Sequence, residues 1–441
     1  MIFSKIKSGD FMRKMKDSGI EWIGDIPEKW NIKKLKYVIS ENVTDGPHET
    51  PTFLNEGVPF LSIDSIQNGN ILFENCRYVS LSDHLKYCKK CKPQKNDLLL
   101  GKAASTGKIA KVNVDFEFSI WSPLALIRIN SKNSPFFIEY VLKSSNVQHE
   151  IDLMCTFNTQ KNISMDDISN LNLIIPPLSD QEKIAIFLDK KCSQIDTILE
   201  KQKKSIEKLK QYKQSIITEV VTKGLHPSVS MKDSGFEWIG EIPENWDVKK
   251  LKYLFYIFNG ATPSSNILNY WNGEIVWITP ADMSEDILEI ISSQKYITEE
   301  GFNSCGTKLI PPGSIIISCR APIGLVCMAG SELCTNQGCK SLVRKIEMNV
   351  KYFYYYLSVQ KIKLNSLGNG TTFMELSTNS LLQFISPVPS ISEQNCITSY
   401  LDETCFKINC IIEQKLKLIE KLEVYKMSII SEAITGEFEI L

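Results

Sequence analysis

The chain spells one unusual sentence twice. Residues 15–30 read MKDSGIEWIGDIPEKW, and residues 231–246 read MKDSGFEWIGEIPENW. Over 15–37 against 231–253, 18 of 23 residues are identical, and the five exchanges are mild, such as Ile20/Phe236 and Asp25/Glu241. A second echo closes each half: LSDQEKIAIFLD (178–189) aligns with ISEQNCITSYLD (391–402), and the register holds through Leu209/Leu422, Tyr212/Tyr425 and Thr222/Thr435. Between these ends, 38–177 and 254–390 share little. A two-copy repeat with constant ends and variable middles means that one plan is built twice from two different sequences.

The closing segments read as long helices. No proline or glycine interrupts 179–223; Ser179 or Asp180 can cap its start, and Gly224 and Pro227 punctuate its end. A 4-3 spacing selects Leu188, Cys192, Ile195, Leu199, Gln202, Ile206, Leu209, Lys213, Ile216 and Val220. The second half repeats it with Leu401, Cys405, Ile408, Ile412, Lys415, Ile419, Leu422, Lys426, Ile429 and Ala433. A sustained 3.5 period is a coiled-coil seam, with Leu188, Ile195, Leu209, Ile216, Leu401, Ile408, Leu422 and Ile429 as its apolar steps. The link 223–230 is short, so the second middle starts near the end of the first helix. The second helix can then begin there only by running back along the first. This predicts an antiparallel two-helix coiled coil, roughly 65 Å long at about 1.5 Å per residue.

The middles read as mixed α/β. Short β-rich runs recur: VPFLSI (58–63), NDLLLG (96–101), LALIRI (124–129) and LNLIIP (171–176), then EIVWIT (274–279), SIIISC (314–319), KSLVRK (340–345) and LQFISPVP (382–389). Helical stretches at 134–145 and 350–360 sit between the last two runs of each set. The expected organisation is an extension at 1–14, an α/β lobe at 15–178, a helix at 179–223 and a linker at 224–230. A second lobe at 231–390, a helix at 391–435 and a tail at 436–441 follow.

With 441 residues, 43% hydrophobic and 23% charged, there is ample apolar sequence for a core in each lobe. No apolar run approaches the ~18 residues of a membrane span, and the first residues lack a signal-peptide pattern, so a cytoplasmic protein is expected. Thirteen scattered cysteines fit reduced thiols.

Motifs for chemistry are absent. There is no phosphate loop of the G-x-x-x-x-G-K-[ST] type and no H-E-x-x-H. Histidines 48, 84, 149 and 226 fall at non-equivalent places in the repeat, which argues against a duplicated catalytic base. One metal-like pattern, His84-x3-Cys88-x2-Cys91, supplies three ligands where a structural zinc site takes four, and the second half has no equivalent. The expectation is no metal, no cofactor and no catalysis by this chain.

Net charge is −1, but its distribution is uneven. From His84 to Lys111 there are eight lysines and one acid, Asp97; from Phe302 to Lys345 there are five Lys/Arg and one acid, Glu332. Two local basic regions suit an anionic partner met twice, although lysine-rich loops are also ordinary solvated surface.

This layout resembles the specificity subunits of Type I restriction–modification systems. The resemblance is carried by DSGIEWIGDIPEKW and DSGFEWIGEIPENW, and by PPLSDQEKIAIFLD and PSISEQNCITSYLD at the helix entries. In the middles it is carried by TDGPHETPTFLNEGVPFLSI and NGATPSSNILNYWNGEIVWIT, NDLLLGKAASTGK and GSIIISCRAPIG, and the closing blocks TFNTQKNISMDDISNLNLIIPPL and GNGTTFMELSTNSLLQFISPVP. It covers the chain apart from 1–14. It implies two target-recognition domains, each reading half of an asymmetric bipartite site in double-stranded DNA. The helices would set the spacer and dock two methyltransferase subunits. Methylation and cleavage would reside in those and in restriction/translocase subunits.

On that reading the lysines, Lys89 and Lys90 among them, engage phosphates, while loop donors and acceptors read bases. Candidates in the first domain are Thr44, Asp45, His48, Lys102, Ser105, Thr106, Lys108, Asn158, Gln160 and Lys161. Those in the second are Thr262, Ser264, Ser265, Asn266, Arg320, Asn336, Gln337, Asn369, Thr371 and Thr372. Trp22, Trp30, Trp238 and Trp246 either face a common partner or pack each domain onto its helices. Two rivals remain: a self-contained nuclease or methyltransferase, whose motifs are missing, and a coiled-coil adaptor joining two proteins without sequence-specific DNA binding.

Overall fold

The computed structural model describes residues 14–21, 23–157, 161–369 and 374–437. It divides into two compact units: a first lobe of residues up to Gln202 together with those from Lys417, and a second lobe of Lys203–Leu416. Both long helices, Leu178–Lys223 and Ile391–Thr435, contribute residues to both lobes.

In the first lobe the duplicated block forms the hairpin Met15–Asp17/Asp25–Pro27. Strand Asn31–Lys34 then pairs antiparallel with Asn172–Ile175, tying the opening of the half to its close. A four-stranded sheet runs in the order Ile109–Lys111, Leu98–Gly101, Leu124–Ile127, Thr44–Asp45, with all neighbours antiparallel. A three-stranded sheet sets Ser119–Ile120 parallel to Val58–Leu61, which pairs antiparallel with Arg77–Val79.

The second lobe repeats this order with different residues. Hairpin Met231–Asp233/Glu241–Pro243 and pair Asp247–Lys250/Ile385–Val388 come from the constant ends. The larger sheet runs Val326–Ala329, Ile315–Ser318, Cys339–Arg344, Phe255–Asn259, with Glu289–Ile290 added parallel at one edge. Cys334–Thr335 lies parallel to Trp271–Ile278, which pairs antiparallel with Tyr296–Ile297. LLLG and IIIS, the central strands, are buried along their whole length. Continuous apolar runs of this kind suit strands covered on both faces, so pattern rather than identity preserves the order.

Within each lobe the helix segments run antiparallel. In the first, Ile184 and Leu188 share a core with Ala433 and Ile434, while Lys426 Nζ reaches Asp196 Oδ1 at 2.6 Å. In the second, Ile217 and Val221 share a core with Ile397 and Leu401, and Lys213 Nζ donates to Asn409 Oδ1 at 3.0 Å. As one helix's numbers rise, those of its neighbour fall. Leu188, Ile195, Leu401, Ile408 and Ile429 are buried; Leu209, Ile216 and Leu422 are half-buried.

The constant ends lock each helix start to its lobe. Gln181 donates to the Pro176 carbonyl at 2.9 Å and accepts from the Ser134 amide at 2.8 Å; Gln394 does the same with Pro389 and Asn349, both at 2.9 Å. Trp30 Nε1 donates to Asp180 Oδ2 at 3.4 Å, and Trp246 Nε1 to Glu393 Oε1 at 3.2 Å. Each of these buried indoles also meets the glycine that ends the other helix. An added Cβ at Gly224 would lie 3.2 Å from Trp246, and one at Gly436 would lie 3.0 Å from Trp30, with both glycines at φ +76°. Trp30 and Trp246 therefore pack their domains onto the helices. Trp238 is half-buried with its ring 5.0 Å from Phe384; Trp22 lies outside the described residues.

Candidate nucleic-acid interface

In each lobe the first variable loop leaves the edge strand of the larger sheet through a glycine. Gly46 and Gly260 have no room for a side chain: a Cβ would sit 1.8 Å from the Ile120 carbonyl oxygen in one case and 2.1 Å from that of Asn336 in the other. This close approach of loop to strand brings the distant blocks of each middle together.

In the first lobe the convergence is ionic. Asp45 is fully buried, with Lys90 Nζ at 2.5 Å, Lys102 Nζ at 2.7 Å and His48 Nε2 at 3.2 Å. Burial by itself pushes the Asp45 carboxyl up, but hydrogen bonds and charge from Lys102 and Lys90 outweigh it and hold the pKa below its ordinary value. Asp45 was expected as a base reader. Its carboxylate is occupied by protein cations, so it orients His48, Lys90 and Lys102 around the stem. Thr106 Oγ1 donates to the Lys161 carbonyl at 2.9 Å, which joins the 102–108 loop to the closing block, and Lys161 pairs with Asp152. Thr44 and Ser105 are half-buried, whereas His48, Lys89 and Lys108 are exposed. Asn158 and Gln160 lie outside the described residues.

The second lobe gathers its candidates differently. Thr262 bonds Gln337, joining the first loop to the one after Thr335. Asn336 is half-buried, and its side chain accepts from the Gly338 amide at 2.9 Å. Ser264, Ser265 and Asn266 are exposed. Arg320 is exposed and reaches Glu375 Oε2 at 3.0 Å, so the guanidinium is held beside the closing block. Asn369 lies in the short strand Gly368–Asn369; Thr371 and Thr372 fall outside the described residues.

Sequence reading missed several residues. In the first lobe Arg77 stacks over Phe53 at 4.6 Å and near Trp121 at 5.7 Å; in the second, Lys295 lies 5.8 Å from the Trp271 ring. Lys340, counted above within the second basic region, is buried inside a strand and is no part of a surface basic face. The signals were present as isolated basic residues in β-rich runs, without anything in the local pattern to show what they faced.

His84 Nδ1 lies 2.9 Å from Ser119 Oγ, and Nε2 lies 3.2 Å from Glu117 Oε2. Cys88 Sγ is 3.6 Å from Nδ1 and 3.5 Å from Nε2, so the sulfur sits over the ring face, away from the in-plane lone pair that a metal needs. Burial pushes the Cys88 thiol up. Among the described residues no group of three or more His, Cys, Asp or Glu is arranged to hold a metal ion, and no helix is long and apolar enough to cross a membrane.

Comparison with known proteins bears on both lobes. The family model for the Type I restriction modification DNA specificity domain matches residues 27–214 and again 243–421. The MjaIX specificity subunit of Methanocaldococcus jannaschii is 37% identical over 191 residues, 42% of this chain and 43% of that relative. Thus the chain aligns with less than half of that relative's length. The MjaX subunit of the same organism, named as a putative type I restriction enzyme specificity subunit, is 29% identical over 433 residues, 95% of this chain and 96% of that one. A solved structure described as concerning complex assembly and conformational transition of the type I R-M system aligns over 94% of this chain and 99% of that one, with a TM-score of 0.72 at 18% identity.

Proposed function

Because the chain belongs to the Type I restriction–modification DNA specificity family, we propose that it is the sequence-specificity subunit of such a complex. Each lobe binds one half of an asymmetric bipartite site in double-stranded DNA. The observation that carries this reading is one strand order built twice from unlike middles between near-identical ends. Like scaffolds present unlike loops, so the half-sites differ. Exposed Lys89 and Lys108 serve phosphates; Arg320, Asn336, Gln337 and Thr262 sit where the second lobe's loops converge and serve bases.

The duplicated block supports a partner met twice. Its buried residues explain their own identity by packing, but the exposed Glu21/Glu237, Glu28/Glu244 and Tyr37/Tyr253 (the tyrosines 65% and 60% exposed) are not held by any core. In this reading they and the helices dock two methyltransferase subunits. Methylation and cleavage belong to methyltransferase and restriction/translocase partners in the cytoplasm, and this chain does no chemistry.

The helices set the gap between half-sites. Inserting one heptad in both helices is expected to lengthen the gap and keep both half-sites, as read from the methylation pattern of a host expressing the complex. An unchanged gap overturns the ruler. Binding of the purified chain to random duplexes separates this reading from a protein–protein adaptor, which would bind none.

A further inference from the structure

The two loop stems carry different buried charges within one equivalent cross-strand pair. Asp45 pairs across the sheet with Ala125; Asn259 pairs with Lys340. The strands beyond are equivalent too, since Leu124 faces Gly101 where Cys339 faces Ser318. The glycine crossing follows immediately in both, at Gly46 and Gly260. Where the first lobe has a carboxylate beside an alanine, the second has an amide beside a lysine.

Lys340 is 4% exposed. Among the described residues its ammonium bonds one oxygen, Asn259 Oδ1 at 2.9 Å, which carries no formal charge. That oxygen also accepts from Thr378 Oγ1 at 2.7 Å, in the closing block of the same half. The Asn259 amide thus ties three segments: the strand leading into the first loop, the strand carrying Lys340, and the helix Thr378–Leu382. Burying an ammonium beside a neutral partner is unfavourable compared with an apolar side chain of similar shape. The first lobe shows that a small apolar residue fits this register.

We propose that Lys340 is the positioning residue of the second reader: its buried ammonium holds Asn259, and through it the start of the 260–267 loop, in the geometry that reads bases. Asp45 does the corresponding work in the first lobe by gathering Lys90, Lys102 and His48. This rests on the reading of function above. Lys340 is too enclosed to be one of the phosphate contacts, so it acts through the loop and leaves the phosphate count unchanged.

The two lobes share one chain, so each half-site is a control for the other. The full chain is titrated onto duplexes carrying its bipartite site, with substitutions in one half or the other, across a salt series. Lys340→Met keeps the shape of the stem and removes the charge. The expected result is unchanged or higher thermal stability, with discrimination at the second lobe's half-site falling on the order of ten-fold. Discrimination at the other half-site holds, and the salt slope changes by less than the roughly 0.9 per lost phosphate contact. Lys340→Arg retains most of the discrimination. Asn259→Leu, which leaves the lysine and removes its link, loses it as Lys340→Met does.

Unchanged discrimination in Lys340→Met or Asn259→Leu overturns the proposal. So does an even loss on all duplexes with a slope reduced by one contact, which would make Lys340 a phosphate ligand. A wild-type chain that prefers no bipartite duplex overturns the reading of function, and this proposal with it. A wild type that discriminates, beside variants that do so equally well, overturns this proposal alone.

Discussion

Trp30 and Trp246 make the same bond to the first turn of a long helix, at 3.4 and 3.2 Å, in the two halves of the chain. Asp45 and Asn259, at the same register of the corresponding sheets in the two lobes, do not make the same contacts at all. The constant ends keep contacts residue by residue: Gln181 with Gln394, and Tyr140–Asp189 at 2.7 Å with Tyr355–Asp402 at 2.6 Å. Away from the one helix in each middle that meets these ends, Pro135–Lys143 and Val350–Ser358, the middles keep strand order and not contacts. Order needs apolar runs of the right length, which many sequences supply. A helix entry held by one indole and one amide tolerates far fewer. The difference shows how such a chain can change what it reads while keeping its frame.

The largest expected effect lies at the ends. Trp30→Ala and Trp246→Ala each remove a buried indole and are expected to cost their lobes about 3–5 kcal/mol, by similar amounts, in denaturant unfolding. A large cost in one lobe and none in the other would break the equivalence of the ends. Next come the crossings. Gly46→Ala and Gly260→Ala push a Cβ into backbone and are expected to cost roughly 1–3 kcal/mol each, by the same measurement.

The middles should part company in binding. Arg320→Ala is expected to lower discrimination at one half-site only, by about 1–3 kcal/mol, in competition titrations. A Lys89→Ala/Lys108→Ala double variant should weaken binding to every duplex and flatten the salt slope by roughly 1–2. If both change the same quantity, the division between phosphate and base contacts is wrong.

Acid should also separate the lobes. The Asp45 carboxyl is held below its ordinary value, so its stabilising contribution is complete above the unfolded carboxylate range. It is lost as the pH falls through the lower folded value. Asn259 cannot titrate. Asp45→Asn should therefore flatten the acid limb of the stability curve, and Asn259→Leu should leave that limb unchanged, in pH-dependent unfolding. The smallest effect is expected on the helices. Lys426→Ala breaks a half-exposed pair with Asp196 and should cost less than about 1 kcal/mol.

Much of the frame was legible because it depends on periodicity. A 3.5 spacing marked both long helices, and apolar runs such as LLLG and IIIS marked the central strands. Legibility ended where partners come from far along the chain. Nothing near TDGPHET shows that Asp45 meets Lys90 and Lys102, which lie 45 and 57 positions on. KSLVRK reads as a strand with basic ends, and only the sheet register shows that Lys340 is enclosed beside Asn259. Charge runs showed where cations concentrate. They did not show which cations an acid already holds, as Glu117 holds Lys92 and Glu49 holds Lys86.

The account stands on two unlike readers within one chain, and the methylation motif of a host expressing it with its cognate methyltransferase tests that most directly. The account predicts two different short sequences separated by a fixed, unspecified gap. Replacing 254–390 with a copy of 38–177 should then turn the motif into an inverted repeat with the gap retained. A wild-type motif that is already symmetric, or one unbroken sequence, would contradict it.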